Sequence, residues 1–245
     1  MFDYQAPAEL LKDRVILITG ANRGIGAALA RGCAALGARV ILQGRDTAAL
    51  DQVRDEIQAS GGQAAETLVL DLEQADAAAY AALAARLQQR HGRLDGLVHN
   101  AGLLGPRVLL EETPAPALAQ VLQVNVQAGF ALTQALLPLL KAADQASVIF
   151  TSSSVGRKGR AGWGAYSVSK FATEGLMQVW AEELADAGIR VNSVNPGGTR
   201  TAMRAAAYPD EDPARVPAPE AILPVYLYLL GPASQGTTGQ ALNAQ

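Results

Sequence analysis

Short apolar runs alternate with longer stretches of helical pattern along nearly the whole chain, and this alternation narrows the fold more than any other feature. Strands separated by helices imply crossover connections, and these predict βαβ units and a parallel sheet buried on both faces. The runs Val15–Thr19, Arg39–Gln43, Glu66–Leu70, Gly96–His99, Ser147–Thr151, Arg190–Asn195 and Gln240–Asn243 read as strands. Helical patterns cover Gly24–Leu36, Thr47–Ser60, Gln74–His91, Pro116–Lys141, Trp163–Asp186 and Glu220–Leu230. Their Ala, Leu and Gln content favours helix on propensity alone. Seven strands fit one doubly wound sheet, so the expected class is α/β with a single domain over residues 1–245.

Composition removes several function classes. At 49% apolar and 18% charged the chain has the makings of a large core and too few charges for disorder. The net charge of −3 contains no block of like sign, so no nucleic-acid footprint is expected. A single cysteine, Cys33, excludes an intramolecular disulfide framework and fits a reducing cytoplasm. The opening residues lack the basic-then-apolar pattern of a signal peptide. Thr113–Leu140 and Ala221–Gln245 carry no charge, but glutamines, prolines and glycines interrupt both, which predicts buried packing or a subunit interface and no membrane span. With His91 and His99 the only histidines, no metal site is expected.

A glycine-rich turn, Thr19-Gly20-Ala21-Asn22-Arg23-Gly24-Ile25-Gly26, joins the first strand to the first helix. Glycines let a backbone turn sharply and approach a pyrophosphate, while a helix N-terminus supplies N–H donors; in a Rossmann-type sheet a dinucleotide binds here. After the second strand, where an acidic residue would hold the ribose of NAD, stand Gly44 and Arg45. Arg23 and Arg45 are the residue type that pairs bidentately with a 2′-phosphate, so NADP(H) is expected over NAD. Asp46 fits either a helix N-cap or a ribose contact, and Asp71, followed by Leu72, either faces the adenine or caps the next helix. The irregular, proline-rich tract Tyr208–Pro219 has the length of a lid.

Tyr166 and Lys170 lie four residues apart, on one face of a predicted helix. Ser152-Ser153-Ser154 ends a buried strand thirteen residues before Tyr166. Taken together, Thr19–Gly26, His99-Asn100-Ala101-Gly102, Asn125, Ser153, Tyr166–Lys170 and Pro196-Gly197 resemble, in order, the motifs of the short-chain dehydrogenase/reductase (SDR) family. The strings HNAGLLG, TSSSVGR and NPGGTRTAMR are similar to its bacterial YciK-like oxidoreductase subgroup. His99 departs from the family's usual Asn, and a D-G-G tail is missing, which bears on subunit contacts rather than chemistry.

The resemblance implies an NADP(H)-dependent oxidoreductase that moves a hydride between cofactor and a small carbonyl or alcohol. Tyr166 would be the general acid or base. Near neutrality its phenolate needs roughly 4 kcal/mol of stabilisation, which an ammonium about 4 Å away supplies at an effective dielectric near 20. Lys170 is therefore expected to lower the tyrosine's pKa and to hold the nicotinamide ribose. Ser153 would donate to the substrate oxygen, and Asn125 would hold a helix kink and a water. The cofactor-binding set comprises Gly20, Asn22, Arg23, Gly24, Ile25, Gly26, Arg45, Asp71, Leu72, Asn100, Ala101, Gly102, Tyr166, Lys170, Pro196, Gly197, Thr199 and Thr201. A substrate lid is expected near 199–219, with Trp163 and Arg204 as pocket neighbours. A homo-oligomer, dimer or tetramer, is also implied. The alternatives are an NAD-dependent dehydrogenase and a non-catalytic cofactor-sensing protein on the same fold.

Overall fold

A computed structural model describes residues Met1–Gln245. Seven strands form one parallel sheet: β1 (Val15–Thr19), β2 (Arg39–Gly44), β3 (Glu66–Val69), β4 (Gly96–His99), β5 (Ser147–Thr151), β6 (Arg190–Asn195) and β7 (Ala241–Asn243). Their order across the sheet is β3-β2-β1-β4-β5-β6-β7, every neighbour parallel. The order reverses between β1 and β4, and a crevice opens at the strand C-termini there.

The helices are α1 (Gly24–Ala35), α2 (Thr47–Ala59), α3 (Ala77–His91), α4 (Ala115–Leu122), α5 (Ala128–Lys141), α6 (Gly164–Glu183), α7 (Ala202–Ala207) and α8 (Leu223–Leu230). Successive strand residues point to opposite faces, so β1 divides its side chains between two cores. Ile16 and Ile18 join a cluster with α1, α2 and α8, while Val15 and Leu17 join one with α3, α5 and α6. Burial on both faces explains why the central strands read as continuous apolar runs rather than alternating ones.

Most predicted elements end within a residue or two of their observed limits. Larger departures have local causes. The third helix starts at Ala77, not Gln74, because Asp71 closes a turn by accepting from Glu73 N (3.0 Å) and Asp76 caps the helix by accepting from Ala79 N (2.8 Å). The predicted helix Pro116–Lys141 is three pieces: α4, a π-helical turn at Gln123–Gln127, and α5. The last helix begins at Leu223, after a 3-10 turn at Pro219–Ile222. Beyond the predicted elements, the N-terminal segment lies along α8: Phe2 N donates to Ala244 O (2.8 Å), and the Phe2 and Tyr4 rings pack on Tyr228.

Candidate active site

A cleft of about 480 Å³ lies across the C-terminal ends of the strands and takes residues from every predicted motif except Asn125. At its β1 end, Gly20 and Gly24 sit at φ +64° and +55°, which other residues rarely adopt. A Cβ on Gly26 would stand 2.2 Å from Gly20 O, so only glycine lets α1 come this close to the turn. Thr19 Oγ1 accepts from the N–H of Asn100 and of Ala101 (both 3.0 Å), and Asn100 Nδ2 donates to Thr19 O (3.1 Å). These bonds tie the ends of β1 and β4 at the point where the sheet order reverses. Side chains cap α2, α3 and α7, through Asp46, Asp76 and Thr201 respectively. Helix α1 has no side-chain cap and no acidic residue in its first turn, and its first residues, Gly24 and Ile25, line the cleft. Its N-terminal donors and positive dipole end therefore face the cleft free for an anion.

Arg23, Arg45 and Arg200 also line the cleft, all exposed and none in an ion pair or side-chain hydrogen bond. Asp46 caps α2, accepting from Ala49 N (3.1 Å), and does not line the cleft, so no carboxylate faces a ribose at the end of β2. Asp71 both lines the cleft and shapes its own turn. Glycine cradle, uncapped helix and unpaired arginines together fit a phosphorylated dinucleotide. Of the predicted residues, Asn22, Gly26 and Asn125 do not line this cleft: Gly26 is buried beneath the turn, Asn22 packs near Gly44, and Asn125 lies deeper.

At the opposite end Ser153, Tyr166 and Lys170 come together. A Cβ on Gly156 would meet Lys170 Cβ at 2.7 Å, so this glycine lets the turn after β5 lie directly on α6. Lys170 is only 4% exposed and donates to Thr151 O (2.7 Å); its Nζ stands 5.4 Å from the Tyr166 ring centroid. Asn125 sits in the π-helical turn, where its Oδ1 accepts from Leu103 N (2.7 Å) and its Nδ2 donates to Leu103 O and Ser169 Oγ (both 2.9 Å). The asparagine ties this π-helical turn to the loop after β4 and to α6.

The electrostatics correct the expectation for the tyrosine. Burial pushes the Tyr166 phenol up to about 12, opposed in part by a hydrogen bond with Ser153. Burial likewise brings Lys170 down to about 8, against the pull of the Glu174 carboxylate. The low-dielectric setting that would strengthen an ammonium–phenolate attraction also disfavours both charged forms, and desolvation prevails in the protein alone.

The predicted lid contains a helix, α7, held by stacked side chains. Arg107 lies 3.8 Å over the Trp163 ring centroid and donates to Gly162 O (2.8 Å) and Ala207 O (3.1 Å). Arg204 lies 3.8 Å over the Tyr208 ring and makes two 2.6 Å bonds to the Glu211 carboxylate. Trp163, 7% exposed, is both core and cleft wall.

Comparison with known proteins agrees with this geometry. A sequence profile described as short chain dehydrogenase matches residues 14–212, most of the chain. The chain belongs to the short chain dehydrogenase family of oxidoreductases. The oxidoreductase YciK of Escherichia coli (strain K12) is 50% identical over 242 residues, covering 99% of this chain and 96% of that one. A short chain dehydrogenase structure from Pseudomonas syringae, 61% identical, superposes with a TM-score of 0.99 over 100% of both chains. One from Shigella flexneri 2a str. 301, complexed with NADP, is 50% identical with a TM-score of 0.96, covering 98% of this chain and 100% of that one.

Sequence reasoning about this dehydrogenase missed several cleft residues. Leu103, Leu104, Val124 and Met203 add apolar wall to the cleft, and Arg200 adds a third unpaired cation. Arg200 was legible in principle, as an arginine beside a glycine pair after a strand. The apolar residues carry no motif. Arg107 lies in an irregular loop, and only the folded chain brings it onto Trp163. No group of metal-ligating side chains is present, and no helix is long and apolar enough to cross a membrane.

Proposed function

We propose that the protein is an NADP(H)-dependent dehydrogenase or reductase of a small carbonyl/alcohol pair, with Tyr166 as proton donor and acceptor. The observation that carries this reading is the meeting, in one cleft, of an uncapped helix with unpaired Arg23 and Arg45 at one end and Ser153, Tyr166 and Lys170 at the other. NADP appears in the relative from Shigella flexneri, which supports the same cofactor here. When bound, the nicotinamide supplies the hydride in reduction and takes it up in oxidation. The glycine turn and α1 would hold the pyrophosphate, Arg23 and Arg45 the 2′-phosphate, Asn100-Ala101-Gly102 and Lys170 the ribose, and Pro196, Gly197, Thr199 and Thr201 the nicotinamide side.

In carbonyl reduction Ser153 donates a hydrogen bond to the substrate oxygen as charge builds there, and Tyr166 gives that oxygen its proton. A phenol that titrates near 12 keeps its proton at neutral pH, which suits the donor role. Lys170 then stabilises the phenolate left behind. The apolar wall of Leu103, Leu104, Trp163 and Met203 would exclude water and favours a small substrate with apolar substituents. Assays with NADPH and a panel of small aldehydes and ketones should show turnover that Tyr166→Phe reduces by roughly 10²–10⁴-fold with cofactor affinity unchanged. Unaltered turnover in that variant would overturn the reading.

We place the enzyme in the cytoplasm, where its one cysteine, free and buried, stays reduced. Val168, Phe171 and Val179 on α6 are exposed, beside Phe130 of α5, and a second copy of the chain would cover them. Light scattering at micromolar concentration should therefore report a dimer or tetramer, and a monomer would contradict this assembly.

A further inference from the structure

A second, much smaller cavity lies behind Lys170. It measures about 10 Å³, and its walls include Thr19, His99, Asn125, Thr151, Lys170 and Thr173. That is room for a single water, which needs two to four polar partners to be held.

His99 ends β4 where the family usually has Asn, and its ring stacks on Phe150 with centroids 4.5 Å apart. Its hydrogen bonding fixes the tautomer. The Thr133 hydroxyl has one proton and donates it to Gly129 O (2.8 Å), so the 2.8 Å contact between His99 Nε2 and Thr133 Oγ1 requires the ring to donate. Nε2 therefore carries the proton, and burial keeps the ring neutral by holding its pKa down to about 3. The remaining nitrogen, Nδ1, is an acceptor with no hydrogen bond to any protein group. Lys170, which also lines the cavity, has three N–H donors and uses one on Thr151 O (2.7 Å).

We propose that His99 is a positioning residue for Lys170: its Nδ1 and the Lys170 ammonium share one water in this cavity, which anchors the lysine from behind. This inference rests on reading Lys170 as part of the reaction centre, but it concerns the lysine itself and can fail while that reading stands. The titratable groups around Lys170 are Tyr166 and Glu174 on α6, His99 on β4, and Tyr226 of α8, whose phenol meets Thr151 Oγ1 at 3.1 Å. Among these only His99 offers an unused acceptor to the cavity.

The test needs no substrate, because Lys12, Lys141, Lys158 and Lys170 are the only lysines and the other three are exposed. Carbon NMR of protein labelled at lysine Cε follows the Lys170 titration directly. Asn places an amide where Nδ1 stands, whereas Gln reaches the Nε2 position. His99→Asn should therefore leave the Lys170 midpoint in place, while His99→Gln and His99→Phe lower it by roughly 0.5–1 pH unit. If Gln holds the midpoint and Asn loses it, or if all variants titrate as the wild type does, the proposal is overturned. Nitrogen NMR of the wild type gives an independent reading. A protonated Nε2 with a hydrogen-bonded Nδ1 supports the shared water, and a protonated Nδ1 overturns it whether or not the variants fold.

Discussion

At the Gly20–Gly26 end the cleft is shaped by backbone and small side chains with Arg23 and Arg45 at its rim, whereas under α7 its wall residues Trp163 and Arg204 are held in stacks with Arg107 and Tyr208, which stand outside the cleft lining. The first end gets its shape from close approach: a Cβ on Gly26 has nowhere to go, and Thr19 and Asn100 tie two strand ends together. The second gets its shape from long side chains whose contacts depend on one another, Arg107 on Trp163 and Arg204 between Tyr208 and Glu211. A fixed end suits a ligand common to many reactions, and an end built from rearrangeable contacts suits a substrate that differs from one enzyme to the next. The lesson is that cofactor and substrate recognition in this molecule should respond to different kinds of change.

Gly26→Ala should break the first end outright. The added methyl collides with backbone that cannot yield without moving the turn, so stability should fall by about 3 kcal/mol and cofactor binding should be lost, as chemical denaturation and fluorescence titration would report. Near-normal stability and binding would show that the turn is softer than its geometry implies.

Lys170→Met probes the cost of the buried cation. Lys170 titrates near 8 in the folded protein against 10.5 for an ordinary lysine. Below pH 8 both folded and unfolded chains carry the proton, and the native state bears the full burial penalty. From there to about 10.5 the unfolded chain binds more protons, so wild-type stability rises with pH. The variant should be more stable than wild type at pH 7 by about 1–3 kcal/mol, less than the full penalty because Thr151 O loses its donor. The difference should close by pH 10.5, and denaturation curves at a series of pH values measure it.

The smallest expected effect is at the substrate end. Arg107→Met removes the stack on Trp163 and the bonds to Gly162 O and Ala207 O. The KM for the carbonyl substrate should rise roughly 3- to 10-fold, from the loss of about 1 kcal/mol, while NADPH affinity stays put. An equal loss at both sites would mean that the two ends are coupled.

The same contrast explains what could be read from the sequence. The sheet and the glycine turn were legible because each strand needs a run of apolar residues and each tight approach needs glycine, and both demands are local. Tyr166, Lys170 and Ser153 were legible because a helix and a strand end fix their spacing. The π-helical turn at Gln123–Gln127 was only half legible: Asn125 stood out, but the break in Pro116–Lys141 comes from side-chain bonds to Leu103 and Ser169, distant in sequence. The lowering of the Tyr166 pKa was misjudged because a pairwise charge argument omits desolvation, which depends on how deeply the fold buries both groups. Arg107 was illegible, since its meeting with Trp163 is set by the path of two loops.

On the proposed reading, the cofactor end selects a phosphorylated dinucleotide through Arg23 and Arg45, which have no partner of their own. Titrating the protein with NADPH and with NADH, by energy transfer from Trp163 and Trp180 to the reduced nicotinamide, tests it most directly. NADPH should bind about 10- to 100-fold more tightly, and Arg23→Ala and Arg45→Ala should erode that preference without weakening NADH. Equal affinity for the two cofactors, or tighter binding of NADH, would contradict it.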